Sequence, residues 1–341
     1  MKTIISIYIT IVVLFVSTEY SNAQIHQFSQ FYASPTILSP SFAGMNGGSR
    51  VGMNYRDQWP GIPGTFVTYA LAYDQYFSKW KSGFGVLLVR DVAGNGNLSL
   101  TDIGLLYSFD FKLNKYWHVR PGIHFKYSQR SVDFYRLIFG DQIIDEGGEF
   151  TIVDNTTEIP PLEKLRYPDV ASSILFYNQQ YWAGFTWDHL LRPNESLLGG
   201  KARTPFKFSF FGGTKFNLNK GRTKYTEESL SVTVLYKKQH KYDQFDIGVY
   251  WTKTPIVLGL YFRGMPFLME TSKGYDNIDA AIVLVGYKLR ALSIGYSYDI
   301  TISPLMGSSQ GSHEISLVYE FNYDVRIRVR RTRSAIACPR F

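Results

Sequence analysis

The chain has 341 residues, of which 16% are aromatic, only 19% are charged and 29 are glycine, a composition that excludes a disordered chain. A single cysteine, Cys338, excludes an internal disulfide framework and cysteine-built metal sites. Of the net charge of +8, six arginines in the last sixteen residues supply +6 and Lys2 cancels Glu19, which leaves +2 for everything between.

Residues 1–23 read as a secretory signal peptide. Lys2 is the positive end, Ile4 to Val16 is a 13-residue apolar run, and Ser21-Asn22-Ala23 offers a small-x-small cleavage site before Gln24. The run is short for a membrane span of about 20 residues. No cysteine follows it, so no lipoprotein site is expected. Residues 24–49 carry Pro35, Pro40, Gly44, Gly47 and Gly48, which predicts a segment without regular elements. Its Phe28, Phe31, Tyr32, Ile37, Leu38 and Phe42 would pack against the wall of a lumen as a plug, or the segment is a loose periplasmic leader.

Residues 50–325 alternate with period two. Ile103, Leu105, Tyr107 and Phe109 alternate with Asp102, Gly104, Ser108 and Asp110; Ile294, Tyr296, Tyr298 and Ile300 alternate with Ser293, Gly295, Ser297 and Asp299. Successive strand side chains point to opposite faces, so each segment has one apolar and one polar or small face. Fourteen such segments lie near 50–57, 64–77, 82–91, 98–112, 116–127, 168–178, 181–188, 205–218, 229–237, 242–253, 255–264, 278–288, 290–300 and 312–325. Many reach the roughly 9–11 residues a strand needs to cross a bilayer, against about 5–6 in ordinary strands. No second uncharged apolar helix is available: the best window, Val170 to Trp187, is broken by Asn178-Gln179-Gln180. The expectation is therefore an all-β protein, an outer-membrane antiparallel β-barrel of about fourteen strands.

The connections support it. With a periplasmic N-terminus the external ones are 58–63, 92–97, 128–167, 189–204, 238–241, 265–277 and 301–311. The periplasmic ones are 78–81, 113–115, 179–180, 219–228, the Thr254-Pro255 junction and Leu289. Long external loops over short periplasmic turns is the barrel pattern, with 219–228 against 238–241 as the exception. Aromatics gather at strand ends (Trp59, Tyr76, Phe77, Trp80, Tyr116, Trp117, Tyr181, Trp182, Trp187, Tyr250, Trp251) and are expected to form interfacial girdles. A barrel of this width is not filled by its own side chains alone, so its lumen holds water, a plug or a ligand.

Little catalytic chemistry is visible. The six histidines are His26, His118, His124, His189, His240 and His313, and none forms a metal-binding helix motif. His118 and His124 share an inward parity, but six residues apart they stand about 20 Å apart along a strand. No nucleophile elbow, P-loop or dinucleotide fingerprint occurs. Asp188-His189 is the one acid–histidine pair of catalytic type, which keeps a barrel hydrolase as a minor reading. Asp102, Asp110, Lys126, Asp246, Asp279 and Lys288 have inward parity and are expected to set lumen polarity. No cofactor, metal or nucleic acid is expected.

The alternation runs on through Val325, Ile327 and Val329 into a basic tail, residues 326–341. The tail contains Arg326, Arg328, Arg330, Arg331, Arg333, Cys338, Arg340 and Phe341. With fourteen strands it emerges in the periplasm. Its arginines either snorkel to lipid headgroups or form a docking element for a periplasmic partner.

The segment Gln27-Phe28-Ser29-Gln30, then Leu38-Ser39-Pro40-Ser41-Phe42-Ala43-Gly44, then Arg56-Asp57-Gln58-Trp59 resembles the opening of the PorP/SprF family of Bacteroidetes type IX secretion system membrane proteins. Ser39-Pro40-Ser41 stands where that family usually has Asn-Pro-Ala. Gly83-Phe84-Gly85 and the barrel pattern extend the likeness over the mature chain, and the tail is similar to SprF-like members. The resemblance implies an outer-membrane barrel without enzymatic activity. It implies a part in secretion or surface anchoring of a gliding-type adhesin with a C-terminal sorting domain, and contact with periplasmic or lipoprotein ring components. Arg56, Gln58 and Trp59 carry the motif and are expected to be structural. A passive outer-membrane channel for hydrophobic small molecules is the alternative, favoured by a continuous apolar lumen pocket.

Overall fold

The computed structural model describes residues 27–64, 66–146, 149–153, 156–157, 162–218, 228–240, 242–264, 278–302 and 306–321. The expected signal peptide and the tail 326–341 lie outside the described residues, as do residues 24–26, most of the turn 219–228 and the connection 265–277.

Fourteen long strands form one antiparallel sheet closed on itself, with a two-residue strand, Phe111–Lys112, paired beside the fifth of them. They are β1 (Ser49–Gln58), β2 (Phe66–Phe77), β3 (Ser82–Ala93), β4 (Leu98–Phe109), β5 (His118–Ser131), β6 (Lys164–Tyr177) and β7 (Tyr181–Asp188). Then follow β8 (Lys207–Asn217), β9 (Glu228–Gln239), β10 (Tyr242–Lys253), β11 (Ile256–Gly264), β12 (Ile278–Leu289), β13 (Leu292–Thr301) and β14 (Ser312–Glu320). All fourteen segments expected from the alternation are present as strands. Each strand pairs with its chain neighbours, and β1 pairs with β14 to close the cylinder, Arg56 opposite Glu314. Closure leaves no open sheet edge, the condition for crossing a hydrocarbon layer with strands. Among the described residues no helix is long and apolar enough to cross a membrane.

Burial follows the alternation. In β4, Ile103 and Leu105 point outward, Leu105 at 61% exposure, while Gly104 and Leu106 are buried. Outward residues such as Leu71, Phe125, Leu260, Val285 and Tyr296 repeat this around the cylinder. An apolar outer face of this extent is stable only against lipid. The inner face carries Ser108, Ser173, Ser209, Asp246, Ser297, Asp299 and Glu314, all buried.

One end of the cylinder carries the longer connections. The one between β5 and β6 contains two 3-10 turns, Phe134–Arg136 and Gly140–Gln142, and a small hairpin pairing Ile143–Glu146 with Glu149–Ile152. The other end has short turns except between β8 and β9, and the long connection there still contrasts with the two residues between β9 and β10. The girdle expectation holds for Trp80, Tyr116 and Tyr181, which are exposed. It fails for Trp182 and Tyr250, which are 2% and 1% exposed and point inward. Each has an aromatic chain neighbour of opposite parity, so composition alone did not say which ring faces lipid.

Residues 28–46 run inside the cylinder, against inward side chains of strands from all around it. The expectation of no regular element is corrected: Pro35–Leu38 forms one α-helical turn, α1, and Pro40–Phe42 a 3-10 turn. Proline at the first position of each needs no backbone N–H there and comes with a helical φ. Phe31, Tyr32, Leu38, Phe42 and Met45 form a core with Trp182, Phe211, Tyr250 and Tyr261 of the wall. Tyr32 meets Trp182 and Tyr250 edge to face, with centroids 6.1 and 5.4 Å apart, the arrangement the ring quadrupoles favour.

Candidate functional site

Two features fill the lumen: an ion network that holds the N-terminal segment, and a cavity beside it. The network centres on Arg56 of β1 and Arg263 of β11. Arg56 contacts Asp299 at 2.8 Å and Glu314 at 3.3 Å, and donates to the Ser29 hydroxyl at 2.9 Å. Arg263 contacts Asp246 at 3.3 Å and Asp299 at 3.2 Å, and donates to the same hydroxyl at 2.9 Å. Ser29 in turn donates to Asp299 at 2.6 Å. Glu314, at 0% exposure, accepts the backbone N–H groups of Ser29 and Gln30 at 2.7 and 3.0 Å. The Gln30 amide donates to the Glu314 carbonyl at 2.8 Å and to Ser297 at 3.1 Å, and accepts from Ser316 at 2.6 Å. Charges buried this deeply are tolerated only when paired and hydrogen-bonded, because desolvation costs several kcal/mol per ion. The N-terminal segment therefore completes the network as well as resting on it.

The remaining anchors are polar and close. Ser34 donates to Asn54. Ser41 binds Ser173 through both its N–H, at 3.0 Å, and its hydroxyl, at 2.5 Å. The Gly44 N–H donates to Asp74 at 2.9 Å, and Arg50 pairs with that carboxylate at 2.7 Å. The Ala43 carbonyl accepts from Ser108 at 2.8 Å and from Arg120 at 2.6 Å. Asn46 donates to Glu320 at 2.8 Å. Two wall glycines permit the approach: a Cβ at Gly83 would lie 2.0 Å from the Ala43 carbonyl oxygen, and one at Gly122 would lie 2.4 Å from the Ser41 nitrogen.

Beside the segment lies a cavity of about 410 Å³ between strands β1 to β8. Gln27 and Ile37 of the segment form part of its lining. β3 and β4 line it with Leu87, Val89, Leu98 and Leu100 beside Asp91 and Asp102; β5 to β8 and the end of β7 add His124, Lys126, Asp169, Asp188, His189 and Lys207. Trp59 and Phe66, edge to face at 5.9 Å, also line it. Most of its charges are paired: Lys126 with Asp169 at 3.1 Å, Arg130 with Glu195 at 2.6 Å, and Lys207 with Asp188 at 3.4 Å.

Of the residues singled out from the motif, Arg56 is the hub of the ion network, while Gln58 and Trp59 line the cavity. The Asp188-His189 pair is not brought together as a dyad. His189 is held by Asp169 at 2.7 Å and Asp188 by Lys207, because adjacent residues at a strand end diverge, and His189 has φ +60°. His118 contacts Asp110 at 3.0 Å and stacks on Tyr177, while His124 lies on the cavity wall. Asp246 joins the network, Lys126 and Asp102 the cavity, and the Asp279 side chain, 47% exposed, stands 4.0 Å from Arg263. Arg326, Arg328, Arg330, Arg331, Arg333, Cys338, Arg340 and Phe341 lie outside the described residues. The sequence reading missed Asp299 and Glu314 as partners of Arg56, and Arg263 as the second arginine on Asp299. Their inward parity was visible, but the pairing follows from closure of β1 on β14.

The family model for the type IX secretion system membrane protein PorP/SprF matches residues 20–319. No curated protein matches the sequence. Among solved structures, the toluene transporter TbuX of Ralstonia pickettii is similar at 10% identity and TM-score 0.49, over 85% of this chain and 94% of that one. The outer membrane protein Omp33 of Acinetobacter baumannii is similar at 8% identity and TM-score 0.42, over 80% of this chain and 98% of that one. The KdgM porin is similar at 9% identity and TM-score 0.38, over 80% of this chain and 99% of that one.

Proposed function

The chain belongs to the PorP/SprF family of type IX secretion system membrane proteins, and on that premise we propose that it is a non-enzymatic barrel anchoring a secreted, adhesin-type partner at the cell surface. It is an outer-membrane barrel component of that system, of a family and fold that are non-enzymatic in kind. The end with the longer connections faces outward, as in other outer-membrane barrels. Residues 128–167 and 189–204 hold the exported partner, through its C-terminal sorting domain. The N-terminal segment acts as a plug, and the tail 326–341 contacts ring components in the periplasm. The observation that carries this reading is the burial of residues 28–46 against the lumen wall, with Ser29 and Gln30 tied to Glu314 and Asp299. A lumen filled in this way leaves the work to the ends of the barrel.

The test removes residues 331–341 from the full chain. Normal insertion, read as heat-modifiable gel mobility, with loss of partner secretion or of gliding is the expected result. Unchanged secretion and gliding would reject the docking role of the tail. Pull-down from detergent-solubilised membranes, read by mass spectrometry, should return a large surface protein with a C-terminal sorting domain. Removal of residues 132–163 should abolish that capture while the barrel still inserts.

A further inference from the structure

At the rim with the longer connections, the outer face of β7 and β8 ends in a cluster of three rings, Trp187, Phe206 and Phe208. Their centroids lie 5.4 Å apart for Trp187 and Phe206, 5.7 Å for Trp187 and Phe208, and 6.4 Å for Phe206 and Phe208. Phe208 stacks on Phe185, and Phe185 meets Phe210 at 4.7 Å, so the rings continue from the rim down the outer wall. At about 3.3 Å per residue, Phe206 to Phe210 cover roughly 13 Å of strand length. Such a surface suits acyl chains, but a lipid-facing wall offers that everywhere. By itself it selects no ligand.

Two cations border these rings. The Arg192 guanidinium lies over Phe206, 5.0 Å from its centroid, a cation–π contact. Lys238 of β9 stands opposite Phe208 and shares the outward parity of exposed Val234; side chains so placed have Cβ atoms about 4.5–5.5 Å apart. Both cations are exposed, and neither has a salt-bridge partner among the described residues. Asp243, the acid in register with Lys238, accepts from the Tyr236 hydroxyl at 3.5 Å. Arg192 is held in place by its backbone. It has φ +47°, a conformation few residues other than glycine adopt, and its N–H donates to the His189 carbonyl at 3.0 Å. The next carbonyl, of Pro193, accepts from the Thr204 N–H at 2.9 Å and hydroxyl at 3.2 Å. A backbone ordered in advance lowers the cost of binding. A guanidinium fits phosphate oxygens with paired donors, and an ammonium adds a point charge. Cations at the head of a ladder of rings match an amphiphile with an acidic head and apolar tails; a soluble anion gains nothing from the rings.

We propose that Arg192 and Lys238 hold the phosphate of a phosphorylated glycolipid of the outer leaflet, with its acyl chains against Trp187, Phe206, Phe208 and Phe210. The site is independent of the anchoring role. It rests only on the orientation given above, in which the longer connections face outward.

The experiment is native mass spectrometry of the full-length barrel in detergent micelles with diphosphoryl lipid A as the probe, and phosphatidylcholine and phosphatidylglycerol as references. A single saturable adduct of the probe is expected, at least about tenfold tighter than phosphatidylcholine, as a charge-assisted contact supplies. R192Q, K238Q and the double variant should each keep heat-modifiable mobility and lose affinity, the double variant most. K112Q/K115Q, which removes two exposed charges at the opposite rim, should bind the probe as the parent does. Phosphatidylcholine or phosphatidylglycerol bound by the parent as tightly as the probe overturns the proposal without recourse to any variant. Full affinity in a correctly folded R192Q/K238Q barrel overturns it too, as does an equal loss in K112Q/K115Q. Displacement of the probe by inorganic phosphate makes the site one for free anions, and displacement by a hexaglutamate peptide makes it one for acidic polypeptide; either result overturns the lipid assignment. The orientation has its own readout: a membrane-impermeant maleimide should label Lys201→Cys in intact cells, in a chain whose Cys338 is replaced by serine. No labelling of the inserted barrel overturns the outer-leaflet placement, whatever binds in micelles.

Discussion

Gly83→Ala is the substitution that most directly probes how the N-terminal segment is held. Gly83 sits on the inner face of β3, opposite Tyr76 and Ser108. Its added Cβ would lie 2.0 Å from the Ala43 oxygen, 2.6 Å from the Ala43 carbonyl carbon and 2.8 Å from the Ser108 hydroxyl, where ordinary contact begins at 3.4 Å. The ladder hydrogen bonds of β3 are untouched, so the strand holds and the segment must retreat. The Ala43 carbonyl then loses its bonds from Ser108 and Arg120, now 2.8 and 2.6 Å long. One neutral and one charge-assisted hydrogen bond are together worth about 2–4 kcal/mol. A loss of about 3 kcal/mol raises the open fraction by roughly a hundredfold. The assay is maleimide labelling of a cysteine placed at Thr36, which is 1% exposed, in a chain whose Cys338 is replaced by serine. Labelling should be slow in the parent and faster by about two orders of magnitude with Gly83→Ala, if labelling follows local opening. Equal rates in correctly inserted barrels would refute both the docking geometry and the energetics drawn from it.

Arg56→Met leaves Asp299 and Glu314 buried without one of their cations and should destabilise the barrel by about 3–5 kcal/mol in denaturant titrations. Adding Glu314→Gln to it should cost less than the sum of the two single changes, which a double-mutant cycle measures. Ser41→Ala should cost about 1 kcal/mol and Ser173→Ala more, because it also removes the acceptor of the Ser41 N–H; the double change should cost no more than Ser173→Ala alone. In the connection between β5 and β6, Asp141 accepts from the Thr157 N–H at 2.6 Å and from the Thr156 hydroxyl. The Thr157 N–H, first among these contacts, holds its carboxyl below the usual carboxylate range. A depressed folded-state value means that this clip is present at neutral pH and weakens as pH falls into the acid range. Limited proteolysis of this loop should accelerate at low pH, and Asp141→Asn should flatten that dependence.

Much of the architecture was legible because it is local. Alternation needs only neighbours in the chain, so β1 to β14 could be placed from residues such as Ile103, Leu105 and Tyr107 without knowing what they touch. The lumen was less legible. Arg56 and Glu314 stand opposite each other across the closing seam although 258 residues separate them, and no local pattern encodes that pairing. Ser29 and Gln30 carry a recognisable motif, but their role as caps on buried carboxylates appears only once the segment is inside the cylinder. Trp182 and Tyr250 show the same limit: an aromatic pair at a strand end satisfies lipid or lumen equally well, and packing against Tyr32 decides which ring turns inward.

The amino-acid sequence by itself determined the strand-forming class, the number of strands and the motifs of the family, because these rest on side-chain period and turn chemistry. Only the tertiary structure decided what the interior does with them. Curling the sheet until β1 meets β14 places Arg56, Arg263 and Asp299 around the Ser29 hydroxyl and Glu314 at the Ser29 backbone N–H. Charge compensation depends on distance in space, and that distance is set by closure of the barrel rather than by order along the chain.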